Sequence, residues 1–85
     1  MKGTKQTERI KVIKEGVEYE FEPAEEGGYV ASVPLYPSCV SQGETLDETL
    51  TNIEDALLGC LLAAHDLKLP IPDQLEHLIR QSAKR

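Results

Sequence analysis

The sequence predicts an α+β fold in which a three-stranded antiparallel sheet carries one main helix, in the order β-β-β-α, and a short C-terminal helix follows. Two observations predict it. Three short β-favouring runs lie between residues 17 and 43, separated by turn-forming residues. Apolar residues then recur at helical spacing from residue 46 to residue 67. We expect the 85 residues to form one domain, with a core at 17–67, a disordered start at 1–8 and a helix at 73–85.

The first two strands are predicted from an alternating run and the turn that follows it. Residues 17–22, VEYEFE, alternate apolar and acidic side chains, which is the period of a strand with one buried face. Turn formers fill residues 23–28, and β-favouring residues resume at 29–33 until Pro34 interrupts the pattern. The alternation assigns three side chains to the core, Val17, Tyr19 and Phe21. Residues 10–13 fit either a further strand or an extension of the first one.

The third strand and the main helix follow along the chain. Residues 39–43, CVSQG, are compatible with a short strand that ends at a glycine. Residues 45–48, TLDE, form a capping box, in which the threonine hydroxyl accepts a hydrogen bond from the N3 amide and the glutamate reaches back. The stripe expected to face the sheet consists of Leu46, Leu50, Ile53, Leu57, Cys60, Ala64 and Leu67. Pro70 and Pro72 are expected to end the helix, because proline lacks a backbone donor.

In the second half of the main helix, the apolar surface is wider than one sheet face requires. A second subunit or the C-terminal tail is therefore expected to cover it. We place an oligomer interface there, at Leu58, Leu61, Leu62 and His65. A chain this short, with one Phe and no Trp, buries little surface alone, which favours a homo-oligomer, either a dimer or a tetramer.

The formal charge of −6 is distributed unevenly along the chain. Residues 1–14 carry a net charge of +4, residues 15–67 carry −12 without any Lys or Arg, and residues 68–85 carry +2. Such an acidic central segment would repel a phosphate backbone and attract a basic protein surface. The alternative is that the acids only provide solubility.

Residue patterns that support catalysis, metal binding or cofactor binding do not occur. The two histidines and two cysteines lack metal-ligand spacing, and the glycines form no phosphate-binding loop. We expect Cys39 and Cys60, in different predicted elements, to be buried free thiols. The chain is therefore predicted not to be an enzyme and to need no metal or cofactor. Without a membrane-spanning run or a signal peptide, we expect a cytoplasmic protein with no membrane partner.

The order of motifs along the chain resembles the HicB antitoxin family. That family shows E-x-G-G-Y/F-x-A, V-P-x-L-P-G-C, S-x-G-x-T and N-I-x-E-A segments. The corresponding segments here are EEGGYVA at 25–31, VPLYPSC at 33–39, SQGET at 41–45 and NIEDA at 52–56. The resemblance covers about half of the chain. It implies a partial RNase H-like fold without nuclease activity, and a partner called HicA, a small basic ribonuclease toxin that HicB proteins neutralise.

Two departures from the family pattern bear on structure and function. Ser38 stands where the family often has glycine, so its backbone should avoid a positive φ. No full DNA-binding module follows Pro72, whereas many family members repress their own operon through such a module. Because of the second departure, we do not expect operator binding through such a module.

The main functional hypothesis is a protein-binding module that neutralises a HicA-type toxin, since an acidic domain suits a basic partner. The expected contact residues lie around the first hairpin, at Glu20, Glu22, Glu25, Glu26 and Tyr29. One alternative is an oligomeric regulator that binds DNA through the basic N-terminal and C-terminal ends. Another is a stand-alone HicB-like protein without a cognate toxin.

Overall fold

The computed structural model describes residues 9–83, in which one antiparallel sheet and two helices pack together. The strands lie side by side in chain order. The elements are β1 (Ile10–Lys14), β2 (Val17–Pro23), β3 (Tyr29–Ser32), β4 (Val40–Gly43), α1 (Leu46–Asp66), a 3₁₀ turn (Asp73–Leu75) and α2 (Glu76–Ala83). The start predicted to be disordered, residues 1–8, lies outside the described residues, as do residues 84–85. Neither helix within residues 9–83 combines the length and hydropathy that a membrane span requires.

The sheet has four strands rather than the three predicted, because the basic opening forms a strand of its own. β1 pairs with β2 in antiparallel register, with Val12 opposite Tyr19. The two residues between them, Glu15 and Gly16, have φ angles of 53° and 80°. Positive φ at both central residues is the requirement of a type I′ hairpin turn. Glutamate rarely adopts this conformation, so the sequence carried no clear signal for the hairpin.

The alternation along β2 separates the two faces of the sheet as predicted. Buried on the face that carries α1 are Val17, Tyr19 and Phe21, which confirms their assignment to the core. The acids between them, Glu18, Glu20 and Glu22, belong to the other face. The strand register places Ile13 and Val40 on this second face, where they are 74% and 55% exposed. We call it the open face.

Helix α1 begins at the predicted cap, Thr45, and packs on β3 and β4. Its buried side chains are Thr49, Ile53, Leu57, Leu61 and Ala64. The buried stripe is therefore rotated from the predicted one, because α1 meets the sheet along residues spaced four apart. Leu46 and Leu67, both predicted to face the sheet, are exposed at the two ends of the helix.

The main helix ends before the prolines that were predicted to stop it. Lys68 adopts a left-handed conformation with φ 61°, and the amide of Leu69 donates to the carbonyl of Ala64 at 2.8 Å. This is the closure of a Schellman motif, which usually has glycine in the left-handed position. Because lysine occupies that position here, the sequence did not reveal the Schellman motif. Ser38 has no positive φ, as its side chain required.

The C-terminal segment packs back on the rest of the molecule. Leu75, in the 3₁₀ turn, is fully buried in the same hydrophobic cluster as Leu57 and Leu61. Helix α2 contacts α1, and the Nε2 atom of His77 lies 2.7 Å from the carbonyl oxygen of Glu15 in the β1–β2 turn. The predicted C-terminal helix is thus confirmed over residues 73–83, and it covers the core at this end.

Candidate partner-binding site

A groove lined by acidic side chains lies where three segments meet. The loop between β2 and β3, the end of β4 and the first turns of α1 enclose a volume of about 410 Å³. The side chains that line it include Glu26, Tyr29, Gln42, Glu44, Glu48 and Asn52. We call it the acidic groove. Its acidic lining makes this groove the surface best suited to the basic partner that the sequence predicts.

The capping box that starts α1 also fixes two acids of the acidic groove. Thr45 Oγ1 accepts a hydrogen bond from the amide of Glu48 at 3.0 Å. Glu48 Oε1 accepts a hydrogen bond from the amide of Glu44 at 2.9 Å, so the glutamate reaches one residue beyond the cap. The buried hydroxyl of Thr49 donates to the carbonyl of Thr45 at 2.6 Å. The predicted N-cap is confirmed, and these bonds fix the Glu48 carboxylate and the backbone of Glu44.

Two glycines allow the segments around the acidic groove to approach one another closely. A Cβ atom on Gly28 would collide with the carbonyl oxygen of Gly43. A Cβ atom on Gly43 would lie 2.7 Å from Thr49 Oγ1 and 2.8 Å from the Thr49 amide nitrogen. Backbone atoms cannot yield as a flexible side chain can, so these positions exclude larger residues.

The floor of the acidic groove joins β3, β4 and α1. Asn52 Nδ2 donates to the carbonyl of Gln42 at 2.7 Å, which ties the helix to the edge strand. Tyr29 lies opposite Gly43 in the register of β3 with β4. It shares a sheet face with the buried Ala31, so it faces α1 rather than the open face, and it is half-buried. The groove therefore offers a partly accessible aromatic side chain among acids.

None of the salt bridges within residues 9–83 involves an acid that lines the acidic groove. The lining acids Glu26, Glu44 and Glu48 are exposed, as are Glu25 and Asp47 next to them in the sequence. The salt bridges among the described residues use other acids, namely Glu18, Glu20, Glu22 and Glu54. The negative charge of the groove is thus available to a partner.

The structure divides the predicted contact residues between two faces. Glu26 and Tyr29 line the acidic groove, and Glu25 is the exposed residue before Glu26. Glu20 and Glu22 lie on the open face, where atoms of the Arg9 guanidinium lie 3.8 Å from Glu20 and 2.8 Å from Glu22. The five residues therefore do not form a single surface, because alternate residues of β2 point to the face away from α1.

Sequence reasoning missed the groove residues that β4 and α1 supply. These are Gln42, Glu44, Glu48 and Asn52. Glu48 was recognised only as part of the capping box, and Glu44 only as part of a motif segment and of the acidic stretch. The pairing of β4 beside β3 brings them next to the β2–β3 loop, and that pairing is a tertiary feature. The available signal was Gly43, two residues before the capping box, since a glycine permits the close approach.

The residues predicted for an oligomer interface lie where the C-terminal segment packs on α1. Leu61 is fully buried in the chain, so its assignment to an interface is corrected: it belongs to the core. Leu58 and His65 each line a space between α1 and α2. Leu62 is 38% exposed. The tail, one of the two covers expected from the sequence, occupies much of this surface, and the homo-oligomer stays a prediction.

The titratable groups of the core are held in their neutral forms. Burial raises the pKa of Tyr19 to about 12, with further contributions from Glu54 and Glu15. Burial, together with the neighbouring Cys60, raises the pKa of Cys39 to about 12. Neither group is ionised near neutral pH. Within the described part of the chain, no group of three or more His, Cys, Asp or Glu side chains could hold a metal ion.

Comparison with known proteins gives matches over part of the chain. No protein-family model matches it, and no solved structure matches it. A UPF0150 protein of Thermoplasma acidophilum is 42% identical over 48 residues, which are 54% of this chain and 70% of that protein. A UPF0150 protein of Synechocystis sp. is 43% identical over 51 residues, which are 56% of this chain and 68% of that protein.

A further relative has a functional name. Antitoxin HicB 1 of Photorhabdus laumondii is 40% identical over 53 residues, which are 60% of this chain and 34% of that protein. The match thus spans about a third of the antitoxin's length. The UPF0150 relatives are matched over about two thirds of their own length, at more than 40% identity. The chain therefore belongs to the HicB-like family, together with these UPF0150 proteins.

Proposed function

We propose that this chain is an antitoxin-like protein-binding module that neutralises a small basic HicA-type ribonuclease toxin, with the acidic groove as its contact surface. The observation that carries the proposal is the groove itself, where exposed acids without a cation partner in residues 9–83 surround the half-buried Tyr29. The relative named Antitoxin HicB 1 supports it. The proposal concerns the part of this chain that the match with Antitoxin HicB 1 covers.

The acidic groove has the chemistry that a basic protein surface requires. Carboxylates of Glu26 and Glu44 can accept charge-assisted hydrogen bonds from Lys or Arg side chains of a partner. Tyr29 offers an apolar ring and a polar hydroxyl, as aromatic anchors at interfaces do. The negative field around these groups would speed the encounter with a cationic partner. Neutralisation by covering a surface needs no catalytic group, which agrees with a non-enzymatic role.

The alternative of an oligomeric DNA-binding regulator has less support. It relies on the basic ends of the chain, but three cations near the N-terminus are engaged within the protein. Arg9 pairs with Glu22 at 2.8 Å, Lys11 with Glu18 at 3.7 Å and Lys14 with Glu54 at 2.9 Å. These cations would have to leave their carboxylates to contact phosphates.

Inhibition of RNA cleavage tests the proposal directly. A HicA-type ribonuclease encoded beside this chain's gene would be purified and its cleavage of a labelled RNA measured while the chain is added. We expect cleavage to stop at a 1:1 ratio. Full cleavage in an excess of the chain would overturn the proposed function. A neighbourhood with no small basic reading frame would favour the stand-alone alternative instead.

A matched pair of variants tests the contact surface. Glu25→Gln with Glu26→Gln removes one charge that lines the acidic groove and one beside it. Glu18→Gln with Glu20→Gln removes two charges on the open face. We expect the groove variant to lower the association rate about tenfold at low salt, because long-range attraction dominates the encounter. The open-face variant should stay within about twofold of the unmodified chain. Equal rates for the two variants would move the contact away from the groove.

A further inference from the structure

Another cavity lies where the β1–β2 turn, the middle of α1 and helix α2 meet. It has a volume of about 270 Å³. Three carboxylates line it, those of Glu15, Glu54 and Asp55, and its apolar walls come from Leu58 and Leu78. We call it the turn cavity. It shares no lining residue with the acidic groove, so the two are separate surfaces of the molecule.

The hydroxyl of Tyr19 is a buried polar group at the wall of the turn cavity. Tyr19 points to the sheet face that carries α1, is 3% exposed and lines this cavity. No hydrogen bond among residues 9–83 uses its hydroxyl. Burial raises the pKa of Tyr19 to about 12, with contributions from Glu54 and Glu15, so the phenol is neutral and its oxygen can accept a hydrogen bond. A buried tyrosine hydroxyl normally has a partner, and a ligand in the turn cavity would supply it.

The acids of the turn cavity outnumber the cation beside them. Lys14 Nζ lies 2.9 Å from Glu54 Oε2. The other salt bridges within residues 9–83 use neither Glu15 nor Asp55, and both of these acids are exposed. Three carboxylates and one ammonium group leave a formal charge of −2. The turn cavity therefore favours a cationic ligand over an anionic one.

The three carboxylates of the turn cavity do not converge on a single point. Within the described part of the chain, no group of three or more His, Cys, Asp or Glu side chains could hold a metal ion. The cation must therefore be organic, with several donors and an apolar body that contacts Leu58 and Leu78. A primary ammonium group carries three N–H donors on a compact head. The volume of the cavity lies below the range of about 300–1,000 Å³ for sites of drug-sized ligands, so the attached chain must be short.

We propose that the turn cavity is a binding site for a primary ammonium group on a short aliphatic chain. The Tyr19 oxygen and the carboxylates around it accept the N–H donors, and the aliphatic chain contacts Leu58 and Leu78. Such a group occurs on free alkyl diamines and on lysine side chains. The proposal does not depend on the proposed function, because the turn cavity lies apart from the acidic groove.

Titration of the full ¹⁵N-labelled chain with n-butylamine, followed through its amide chemical shifts, tests the proposal. The controls at equal ionic strength are butanol, which lacks the charge, and ammonium chloride, which lacks the aliphatic chain. We expect saturable shifts centred on the β1–β2 turn, the middle of α1 and α2, and binding of each control at least about tenfold weaker. The proposal would be overturned by the absence of saturable shifts, by shifts centred on the acidic groove, or by butanol binding as tightly as butylamine. Equal binding of ammonium chloride would mean an adventitious ion only and would overturn it as well.

Two substitutions with matched controls test the assigned contacts. Tyr19→Phe removes the hydroxyl and keeps the ring, and we expect it to weaken butylamine binding about fivefold. Tyr36→Phe removes a hydroxyl that does not line the turn cavity and should leave binding unchanged. Asp55→Asn should weaken binding about threefold, whereas Glu26→Gln at the acidic groove should not. Asp55 is exposed, so its variant tests the site even if Tyr19→Phe does not fold. Unchanged affinity in a folded Tyr19→Phe variant, or equal losses for Asp55→Asn and Glu26→Gln, would contradict the proposal.

Two further ligands distinguish the sources of the ammonium group. A free diamine is represented by putrescine, and a lysine side chain of a protein by lysine acetylated on its α-amino group and amidated at its carboxyl group. The ligand that binds more tightly under the same conditions identifies the source. If neither ligand shifts the amides around the turn cavity, the proposal is overturned.

Discussion

The acids of the open face and the acids of the acidic groove come from the same negatively charged stretch, but the fold treats them differently. On the open face, Glu22 lies 2.8 Å from Arg9 and Glu18 lies 3.7 Å from Lys11. At the groove, Glu26 and Glu44 are exposed and have no such cation within residues 9–83. The acids of the open face are therefore largely neutralised by neighbouring cations, whereas the acids of the groove keep their charge.

The pairing of β1 with β2 explains this difference. The antiparallel register sets Lys11 opposite Glu20, so the basic opening of the chain runs beside the acidic strand. A count of charges along the sequence separates these segments, whereas the hairpin brings them together. Acidic and basic segments that are separate in the sequence therefore produce a charged surface only where the fold does not place opposite charges side by side.

The largest effect on stability should come from a substitution that forces apart the closely packed backbone segments around the acidic groove. Gly28→Ala should lower the free energy of unfolding by about 2–4 kcal/mol, because its Cβ would collide with the Gly43 carbonyl oxygen and its φ is +78°. Gly27→Ala is the matched control, since it also has a positive φ but an open surrounding, and should cost about 1 kcal/mol. Urea unfolding followed by circular dichroism measures both. Equal losses would mean that the groove wall is not closely packed.

Removing the cap that orients the groove acids should have an intermediate effect. Thr45→Ala loses the side-chain acceptor of the Glu48 amide, and we expect it to cost about 1–2 kcal/mol. Thr51→Ala makes the same change at an exposed position within α1 and should alter stability by less than about 0.5 kcal/mol. Thermal unfolding of both variants provides the comparison. A loss for Thr51→Ala as large as that for Thr45→Ala would argue against a capping role.

Neutralising one acid of the open face and one acid of the acidic groove should have the smallest effect on stability and the clearest dependence on salt. Glu22→Gln breaks the ion pair with Arg9 and should cost about 0.2–1 kcal/mol at low ionic strength, with the loss fading near about 1 M salt. Glu26→Gln should leave stability unchanged or slightly increased, because it relieves repulsion among neighbouring acids. Urea unfolding at both salt concentrations measures these differences. An equal, salt-independent loss for the two variants would remove the distinction between the two sets of acids.

Features that depend on neighbours in the sequence were predictable. The cap at Thr45 relies on groups within four residues, and the burial of Tyr19 and Phe21 follows from strand alternation. The left-handed conformations of Glu15 and Lys68 were not predictable, since neither residue type favours them. Each follows the end of an element at a place that the sequence did not mark. For this reason the sequence did not decide between a separate strand at residues 10–13 and an extension of the next one, and the end of the main helix was attributed to the prolines.

The candidate site was predictable only in part for the same reason. Glu26 and Tyr29 were recognised because they belong to one hairpin. Glu44 and Asn52 could join them only once β4 had paired with β3 and α1 had packed on β4. Leu61 was assigned to a subunit interface because the apolar stripe of α1 is wide. The width of a stripe does not indicate which of its residues face the sheet. The position of α1 on the sheet decided that.

The sequence by itself determined the α+β class, the two faces of β2, the start of α1 and the resemblance to the HicB family, because local hydrogen bonds and side-chain alternation depend on residues close in the chain. The tertiary structure alone decided which acids lie beside a cation and which segments enclose the acidic groove. Strand register and helix placement bring together residues that are far apart in sequence. These contacts depend on the packing of the whole core, so no short segment can specify them.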